Sequence, residues 1–226
     1  MFWRRVTSRI SPREIYLSQR ARNAARDIIA GIDQEAFFAI RKNARSKVKG
    51  SIDLKYFNLD DWVPDAVLRA MRLGLHNERR KAVLDIGTGF GLFPYACEYL
   101  SHEAWCTDIP DHQLYNEVTD VLGLNKIRGY VQPMEKLPDF PTTFDYITAF
   151  QIAFDRPNEP TEWGPEEWRF FLDDVTGRLL NPGGRLHLGL NYKPRLGAWC
   201  SPEVRKVFEE FGGKVDHDRV DLVKAA

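Results

Sequence analysis

The sequence has few cysteines, no long apolar run and no net charge, and each of these absences excludes a class of protein. Its 3 cysteines include no C-x-x-C pair, so neither a disulfide framework nor a cysteine zinc site is expected. No stretch reaches the roughly 18 consecutive apolar residues of a membrane-spanning helix. The 32 basic and 32 acidic residues cancel, which disfavours a purely electrostatic nucleic-acid binder. There is no internal repeat or low-complexity tract.

The composition favours a globular protein. With 226 residues and 43% hydrophobic content, the chain can bury a core, and we expect one α/β domain with an N-terminal extension. Cys97 and Cys106 fall on predicted buried elements and are interpreted as packing thiols in a reducing compartment. Residues 1–5 are not followed by an apolar signal core. We therefore expect a cytoplasmic protein.

A glycine-rich turn is the most informative feature. The apolar residues 82–84 predict a short buried strand, and residues 93–100 predict the helix that follows it. Between them lie Gly87, Gly89 and Gly91. Glycines can take backbone angles that a side chain forbids and let a ligand approach the main chain closely.

An acidic residue completes this pattern. The next predicted strand covers residues 104–107 and ends at Asp108, which lies 21 positions after Gly87. A carboxylate at the carboxyl end of a parallel strand can accept hydrogen bonds from two neighbouring ribose hydroxyls. The two elements together predict a site for a nucleotide cofactor.

The spacing of the glycines selects among nucleotide cofactors. In the dinucleotide fingerprint G-x-G-x-x-G the third glycine would stand at Leu92, so a dehydrogenase is disfavoured. The pattern D-x-G-x-G-x-G from Asp85 to Gly91, with Asp108 after the next strand, instead resembles the first two motifs of the class I S-adenosylmethionine-dependent methyltransferases.

Two later segments strengthen this resemblance, which covers roughly residues 80–220. Residues 132–138 and 144–150 resemble the family's adenine-side loop and fourth strand, although Pro133 stands where relatives often have an aspartate. Residues 179–191 resemble the helix end, Pro-Gly-Gly turn and fifth strand. The order of strands and helices also favours a parallel sheet with crossover helices.

The resemblance implies an α/β, Rossmann-like fold: a mostly parallel central sheet flanked by helices, with a helical N-terminal extension. We divide the chain into a basic helical arm (1–50), a helical lid or linker (51–80) and a core that binds S-adenosylmethionine (81–226). Residues 214–224 have room for one strand or a small hairpin, so we expect a sheet trimmed at that edge. The cofactor-binding residues that the resemblance implies are Asp85, Gly87, Thr88, Gly89, Gly91, Asp108, Ile109, Met134, Glu135 and Gln151.

The acceptor side is predicted from residues that follow strands four and five. Gln151, Asp155 and Asn191 are expected to converge on a substrate hydroxyl, and only Asp155 of these could act as a base. Trp163 is interpreted as a loop aromatic that could form an apolar or sugar-stacking wall, whereas Trp168 is interpreted as core. Carboxylates do not cluster after these strands, so we predict no metal.

Three more features leave alternatives open. His112 could approach the cofactor, whereas His187 is more simply a satisfied strand residue. Tyr56 and Phe57 are either a lid wall or packing aromatics. Residues 1–50 carry 12 basic and 4 acidic residues, with a helix predicted from Ser11 to about residue 30. This basic surface could be solvated or pair with the acidic core domain, contact an anionic membrane or lipid-linked substrate, or hold nucleic acid.

We predict a methyltransferase that uses S-adenosylmethionine to methylate, on oxygen and without metal, a small-molecule, sugar or lipid-linked acceptor. Residues 144–151, the pairs Trp163-Gly164 and Glu167-Trp168, and Leu190-Asn191 also resemble uncharacterised bacterial methyltransferases associated with surface-polysaccharide genes. This resemblance implies a sugar acceptor. The alternatives are an RNA methyltransferase that grips phosphates with the basic arm, and a protein that binds the cofactor or a partner without catalysis. Nucleic acid is the less favoured partner because total charge is balanced and no RNA-binding module is recognisable.

Overall fold

The computed structural model describes residues 11–47, 52–157 and 159–225. The strands are β1 Ala82–Ile86, β2 Glu103–Asp108, β3 Asn125–Arg128, β4 Phe144–Ala149, β5 Leu180–Gly189, β6 Lys214–Asp216 and β7 Arg219–Val223. The helices are α1 Pro12–Gly31, α2 Gln34–Lys47, α3 Leu59–Arg72, α4 Leu92–Tyr99, α5 Gln113–Val121, α6 Pro165–Asp174 and α7 Pro202–Glu210. Short 3-10 helices cover Ile52–Phe57 and Leu75–Asn77, and a π-helical turn covers Val175–Leu179.

The strands form one seven-stranded sheet in the order β3-β2-β1-β4-β5-β7-β6. The first five strands in this order are parallel, whereas β7 is antiparallel to both of its neighbours, β5 and β6. From β1 the chain moves to β2 and β3 on one side and then to β4 on the other. Such a reversal opens a crevice above the carboxyl ends of the central strands, where open α/β sheets bind ligands.

The far edge of the sheet is complete, so the expectation of a trimmed sheet is wrong. Residues 214–223 supply both β6 and β7 because only His217 and Asp218 connect them. β7 pairs with β5 over five residues, from Arg219 to Val223. Val220 and Leu222 of β7 are buried, so a short strand still covers the end of the core.

Two apolar clusters cover the two faces of the sheet, as the alternation of side chains along a strand requires. In β1, Val83 belongs to the cluster beneath α1 to α5, whereas Leu84 and Ile86 belong to the cluster beneath α6 and α7. Cys97 and Cys106 are buried and free, which confirms their interpretation as packing thiols.

The N-terminal helices share the core of the sheet domain. The Ser11 hydroxyl accepts a hydrogen bond from the Glu14 amide at 3.2 Å, so α1 begins where the capping pattern predicts. The buried face of α1 packs in the same cluster as Val83 and consists of Leu17, Ala21, Ala25 and Ile28. Residues 1–10 and 48–51 lie outside the described part, and the division at residues 50 and 80 stays a prediction. No described helix is long and apolar enough to cross a membrane.

Candidate functional site

A cavity of about 600 Å³ lies above the carboxyl ends of β1, β2 and β4, within the usual size range of small-molecule sites. Residues of the segment 52–57 and of α3 cover it. Its lining includes seven of the ten predicted cofactor residues. Six follow or end β1 and β2, and the seventh follows β4: Asp85, Gly87, Thr88, Gly89, Asp108, Ile109 and Gln151. The sheet reversal therefore brings most of the predicted site together.

The glycine turn presents its main chain to the cavity. Gly87 and Gly89 have φ angles of +72° and +57°, in the region that favours glycine. A Cβ atom at Gly87 would meet nothing within 4 Å, so a ligand has direct access to this backbone. Gly91 is different, because a Cβ there would lie 2.3 Å from the Leu124 side chain. Gly91 does not line the cavity and allows the turn to pack closely.

Asp108 is fixed at the end of β2 by main-chain donors. Its Oδ2 accepts a hydrogen bond from the Gly89 amide at 2.6 Å, and its Oδ1 accepts one from the Ile109 amide at 2.7 Å. Each carboxylate oxygen can accept more than one hydrogen bond. Both oxygens are therefore oriented by the protein and retain capacity for ligand hydroxyls.

Asp85 lies beneath the glycine turn and is 4% exposed. Burial raises the pKa of its carboxyl group to about 6, although a hydrogen bond from Thr148 Oγ1, 2.7 Å long, favours the charged form. The desolvation of the charged form thus outweighs the hydrogen bond. Asp85 changes its charge within the range of pH in which proteins usually work.

The loop after β4 forms the opposite wall of the cavity. Gln151 and Arg156 both line it, and both have φ angles of +52°. Such angles cost a non-glycine residue on the order of 1–2 kcal/mol and are enriched at functional sites. The Ile152 amide donates to the Gly189 carbonyl at 3.0 Å, which ties this strained loop to the end of β5.

The segment 52–57 and the start of α5 meet beside the cavity. Tyr115 Oη donates to Asp53 Oδ1 at 3.0 Å, and the His112 ring stacks on the Tyr115 ring with centroids 3.5 Å apart. Burial, followed by the charge of Asp53, raises the pKa of Tyr115. His112 Nε2 also lies 3.5 Å from Asp53 Oδ2. His112 thus lines the cavity at this junction, as the sequence suggested it could.

Only one of the two predicted lid aromatics faces the cavity. Tyr56 lines it and lies beside Trp62, with ring centroids 4.6 Å apart. Phe57 is 1% exposed and packs against Phe37 and Phe90 instead. Adjacent residues of a tight helical turn point in different directions, which explains the division between wall and core.

One face of α3 belongs to the site, and the sequence interpretation missed it. Trp62, Asp65, Ala66 and Arg69 line the cavity, at the i, i+3, i+4 and i+7 spacing of one helix face. Arg69 donates to Asp65 at 2.8 Å and lies 4.8 Å from the centre of the Phe150 ring. The signal that could have found it is the pair of opposite charges at Asp65 and Arg69, four positions apart on one helix face.

The predicted adenine-side residues lie elsewhere. Met134 is 55% exposed, and neither Met134 nor Glu135 lines the cavity. Gly129 and Val131 of the same connection do line it. Residues 129–143, which are all described, form no helix, and Leu137 anchors the segment by donating its amide to Asp174 Oδ2 at 2.9 Å. The assignment of Met134 and Glu135 to the cofactor stays a prediction without support from the cavity.

Gln151, Asp155 and Asn191 do not converge on the cavity. Asp155 is 2% exposed and pairs with Lys193 Nζ at 3.0 Å, while Lys193 also contacts Glu162 at 2.6 Å. Burial raises the pKa of Asp155 even though Lys193 lowers it. Asn191 donates to the Ile152 carbonyl at 2.7 Å. The expectation of a convergent trio with Asp155 as base is therefore not met, because Asp155 is enclosed in a buried ion cluster.

The prediction that Trp163 forms a wall of the substrate site is also wrong. Trp163 is 3% exposed and packs against Phe154 and Trp168, with ring centroids 5.3 and 5.4 Å away. Trp168 is fully buried, as predicted for a core residue. His187 hydrogen bonds to Asp221 Oδ1 at 2.7 Å and does not line the cavity. Among the described residues, no three His, Cys, Asp or Glu side chains group as a metal site.

No protein-family model matches the sequence, and no curated protein matches it. Among solved structures, a TehB-like S-adenosylmethionine-dependent methyltransferase from Corynebacterium glutamicum aligns over 84% of this chain and 96% of that one, with 15% identity and a TM-score of 0.52. A methyltransferase from Pyrococcus furiosus aligns over 71% and 83%, with 16% identity and a TM-score of 0.50.

The similarity to a third structure is partial. CalS10 from Micromonospora echinaspora, an amino pentose methyltransferase involved in calicheamicin biosynthesis, aligns over 60% of this chain with 20% identity and a TM-score of 0.46. The aligned part spans about half of CalS10, 53% of its length.

The two longer alignments and the sheet order show the fold. Five parallel strands, a reversal at β1 and a final antiparallel hairpin are all present, and the alignment with the Corynebacterium glutamicum protein includes nearly all of that chain. The chain therefore has the Rossmann-like fold of the class I S-adenosylmethionine-dependent methyltransferases.

Proposed function

We propose that this protein transfers a methyl group from S-adenosylmethionine to an oxygen atom of a small-molecule, sugar or lipid-linked acceptor, without a metal ion. The observation that carries the proposal is the hydrogen bond from the Gly89 amide to Asp108 Oδ2, 2.6 Å long, at the wall of the cavity. It holds an acidic side chain and an open glycine turn side by side. Such a carboxylate can accept hydrogen bonds from the ribose hydroxyls of a nucleoside.

The residues that are present fit such a cofactor. The carboxylate of Asp108 would accept hydrogen bonds from the ribose hydroxyls. The main chain at Gly87 and Gly89 would contact the remainder of the nucleoside, since no side chain fills the space above Gly87. Ile109 and Val131 line the cavity beside Asp108 and offer apolar surface to a purine ring. We keep Asp85, Thr88 and Gln151 as further contacts because all three face the same cavity.

When bound, S-adenosylmethionine supplies a methyl group on a sulfonium, which an acceptor oxygen attacks in line; the carbon–sulfur bond breaks as the carbon–oxygen bond forms. The protein's contribution is alignment and exclusion of water, and orientation alone can supply several kcal/mol, up to about 7–11. The ring of Phe150 packs on Phe93 at 4.9 Å and makes part of an apolar wall.

A hydroxyl acceptor must also lose its proton. Asp155 is unsuitable because it is buried and paired with Lys193. Asp65 and His112 are titratable side chains that do line the cavity. We therefore assign the proton acceptor to Asp65 or His112 and not to Asp155.

Contact with an anionic membrane stays a prediction, which the surface of α1 supports. Four exposed arginines lie on this helix, at positions 13, 20, 22 and 26. Ile15 and Tyr16 beside them are 57% and 58% exposed. Basic side chains near anionic lipid gain about 1 kcal/mol each. A lipid-linked acceptor would bring the enzyme to such a surface.

Methyl transfer is tested with S-adenosylmethionine labelled on the methyl group. The wild type and Asp108→Ala are incubated with cell extract, and label is counted separately in small-molecule, lipid, RNA and protein fractions. We expect label in the small-molecule or lipid fraction with the wild type and none with the variant. Label in RNA alone would favour the RNA methyltransferase, and no label in any fraction would favour a protein that binds without catalysis.

A further inference from the structure

The cavity has two halves on opposite sides of β1. Asp108 ends β2, whereas Gln151 and Arg156 follow β4, and these two strands flank β1. If Asp108 holds the ribose, as proposed above, the half beneath the loop after β4 is left for the reacting end and the acceptor. The charged groups of this half therefore report on the chemistry of the acceptor.

Of the basic side chains that line the cavity, all but one lie beside a carboxylate of the described residues. Arg69 donates to Asp65 at 2.8 Å, and His112 lies 3.5 Å from Asp53. Arg156 also lines the cavity, yet within residues 11–47, 52–157 and 159–225 it forms no ion pair with a carboxylate. Its Nη1 contacts only a neutral hydroxyl, Thr161 Oγ1, at 3.3 Å.

The backbone holds Arg156 at this position. Its φ angle is +52°, a conformation that is retained when the surroundings impose it. Its amide donates to the Ala153 carbonyl at 3.0 Å, and its own carbonyl accepts the Glu159 amide at 3.1 Å. The guanidinium thus extends from a fixed turn at the cavity wall, not from a free coil.

Aromatic side chains line the same cavity as this cation. Phe154, two residues earlier, lines the cavity, as do Tyr56 and Trp62 of the opposite cover. A guanidinium presents several donors in a planar fork that matches a carboxylate or phosphate, and it binds either more strongly than it binds a neutral group. The apolar rings of the same lining offer packing surface to the remainder of such a ligand.

We propose that the methyl acceptor carries an anionic group, a phosphate or a carboxylate, which Arg156 binds while the aromatic wall packs against the body of the acceptor. This inference rests on the proposed methyl transfer, because it assigns the half of the cavity that the cofactor leaves open. Arg156 is then a residue that determines which acceptors enter and how they lie.

The test uses three probes that share one ring: phenyl phosphate, benzoate and phenol. Calorimetry first measures the affinity for S-adenosylhomocysteine, which depends on the cofactor half of the cavity. The affinity of Arg156→Gln for this ligand is expected to lie within two-fold of that of the wild type. Each probe is then titrated into the protein saturated with S-adenosylhomocysteine. The proteins are the wild type, Arg156→Gln, Arg156→Lys and Arg195→Gln. Arg195 is exposed on a neighbouring loop and does not line the cavity, so it controls for the loss of one positive charge.

We expect the wild type to bind at least one anionic probe roughly ten-fold more tightly than phenol, as a charge-assisted hydrogen bond allows. Arg156→Gln should lose this preference, Arg156→Lys should keep part of it, and Arg195→Gln should behave as wild type. The probe that is preferred distinguishes a phosphate from a carboxylate.

Two results would overturn the assignment: equal or absent binding of all three probes to the wild type, or an unchanged preference in Arg156→Gln. Failure of S-adenosylhomocysteine to bind the wild type would instead contradict the proposed cofactor. The same titrations without it would still decide whether Arg156 selects anions. Thermal unfolding of each variant shows whether the fold is kept, which is expected because Arg156 is exposed.

Discussion

Asp108 accepts the amide of Gly89 at 2.6 Å, a hydrogen bond that joins the end of β2 to the turn after β1. A carboxylate acceptor makes this bond stronger than a neutral one. The turn and the carboxylate are consequently one rigid unit rather than two independent loops. Changes in either part are expected to affect ligand binding more than folding.

The glycines of the turn should separate binding from stability. Gly87→Ala places a methyl group in open cavity space, so we expect a loss of about 1 kcal/mol in the free energy of unfolding, from the left-handed backbone, and a marked loss of affinity for S-adenosylhomocysteine. In Gly91→Ala the new Cβ would lie 2.3 Å from the Leu124 side chain and must displace it. This variant should lose roughly 2–4 kcal/mol of the free energy of unfolding. Urea unfolding and calorimetry on both variants check this. Equal losses of stability would contradict the different environments of the two glycines.

Asp85 should make stability depend on pH. Its pKa is about 6 in the folded protein against 3.8 for a free side chain, so its stabilising contribution is complete below pH 3.8 and is lost as the pH rises through 6. Asp85→Asn does not ionise and has no such dependence. The stability of the wild type relative to this variant should therefore fall by up to about 3 kcal/mol between pH 4 and 7. Urea unfolding at several pH values measures it, and a constant difference would show that Asp85 is not desolvated.

Lys193 should matter for folding because it is buried between two carboxylates. Lys193→Met leaves Asp155 and Glu162 without this cation and should reduce the free energy of unfolding by roughly 3–5 kcal/mol. Lys206, which is exposed and 3.9 Å from Glu210, serves as a control, and Lys206→Met should cost less than about 1 kcal/mol. The double variant Lys193→Met with Asp155→Leu should recover part of the loss. If the effects of the two substitutions on the free energy of unfolding simply add in the double variant, the three charged residues are not coupled.

Tyr115 is expected to hold the cover of the cavity closed. Tyr115→Phe removes the hydrogen bond to Asp53 and should reduce the free energy of unfolding by about 1 kcal/mol. Amide hydrogen exchange should accelerate in residues 52–57. Tyr99→Phe removes a comparable bond to Asp27, 3.1 Å long, on the surface and should leave exchange in that segment unchanged. Identical exchange in both variants would mean that Tyr115 does not anchor the cover.

Local patterns were enough to predict the elements that carry the site. The buried strand before Asp85 and the helix after the glycines follow from hydrophobic periodicity. Ser11 caps α1 by accepting the Glu14 amide at 3.2 Å, where the sequence predicts that a helix begins. The parallel pairing of β1 to β5 also follows, because strands that alternate with helices favour a parallel sheet with crossover connections.

The errors arose where distant residues decide the environment. Asp155 and Lys193 are 38 positions apart, and only the fold brings them within 3.0 Å. Trp163 has the neighbours of a loop residue, but Phe154 and Trp168 bury it. Sequence also cannot distinguish Gly91, which packs against Leu124, from Gly87, which faces the cavity. Each case depends on tertiary contacts that no local spacing encodes.

The central claim is tested most directly by calorimetry of S-adenosylhomocysteine binding to the wild type, Asp108→Asn and Asp108→Ala, with NAD as a control ligand. Asp108→Asn keeps one oxygen acceptor, so its loss should be smaller than that of Asp108→Ala. We predict micromolar binding by the wild type, at least ten-fold weaker binding by Asp108→Ala and no binding of NAD. Failure of the wild type to bind S-adenosylhomocysteine, or binding of NAD in its place, would contradict the account.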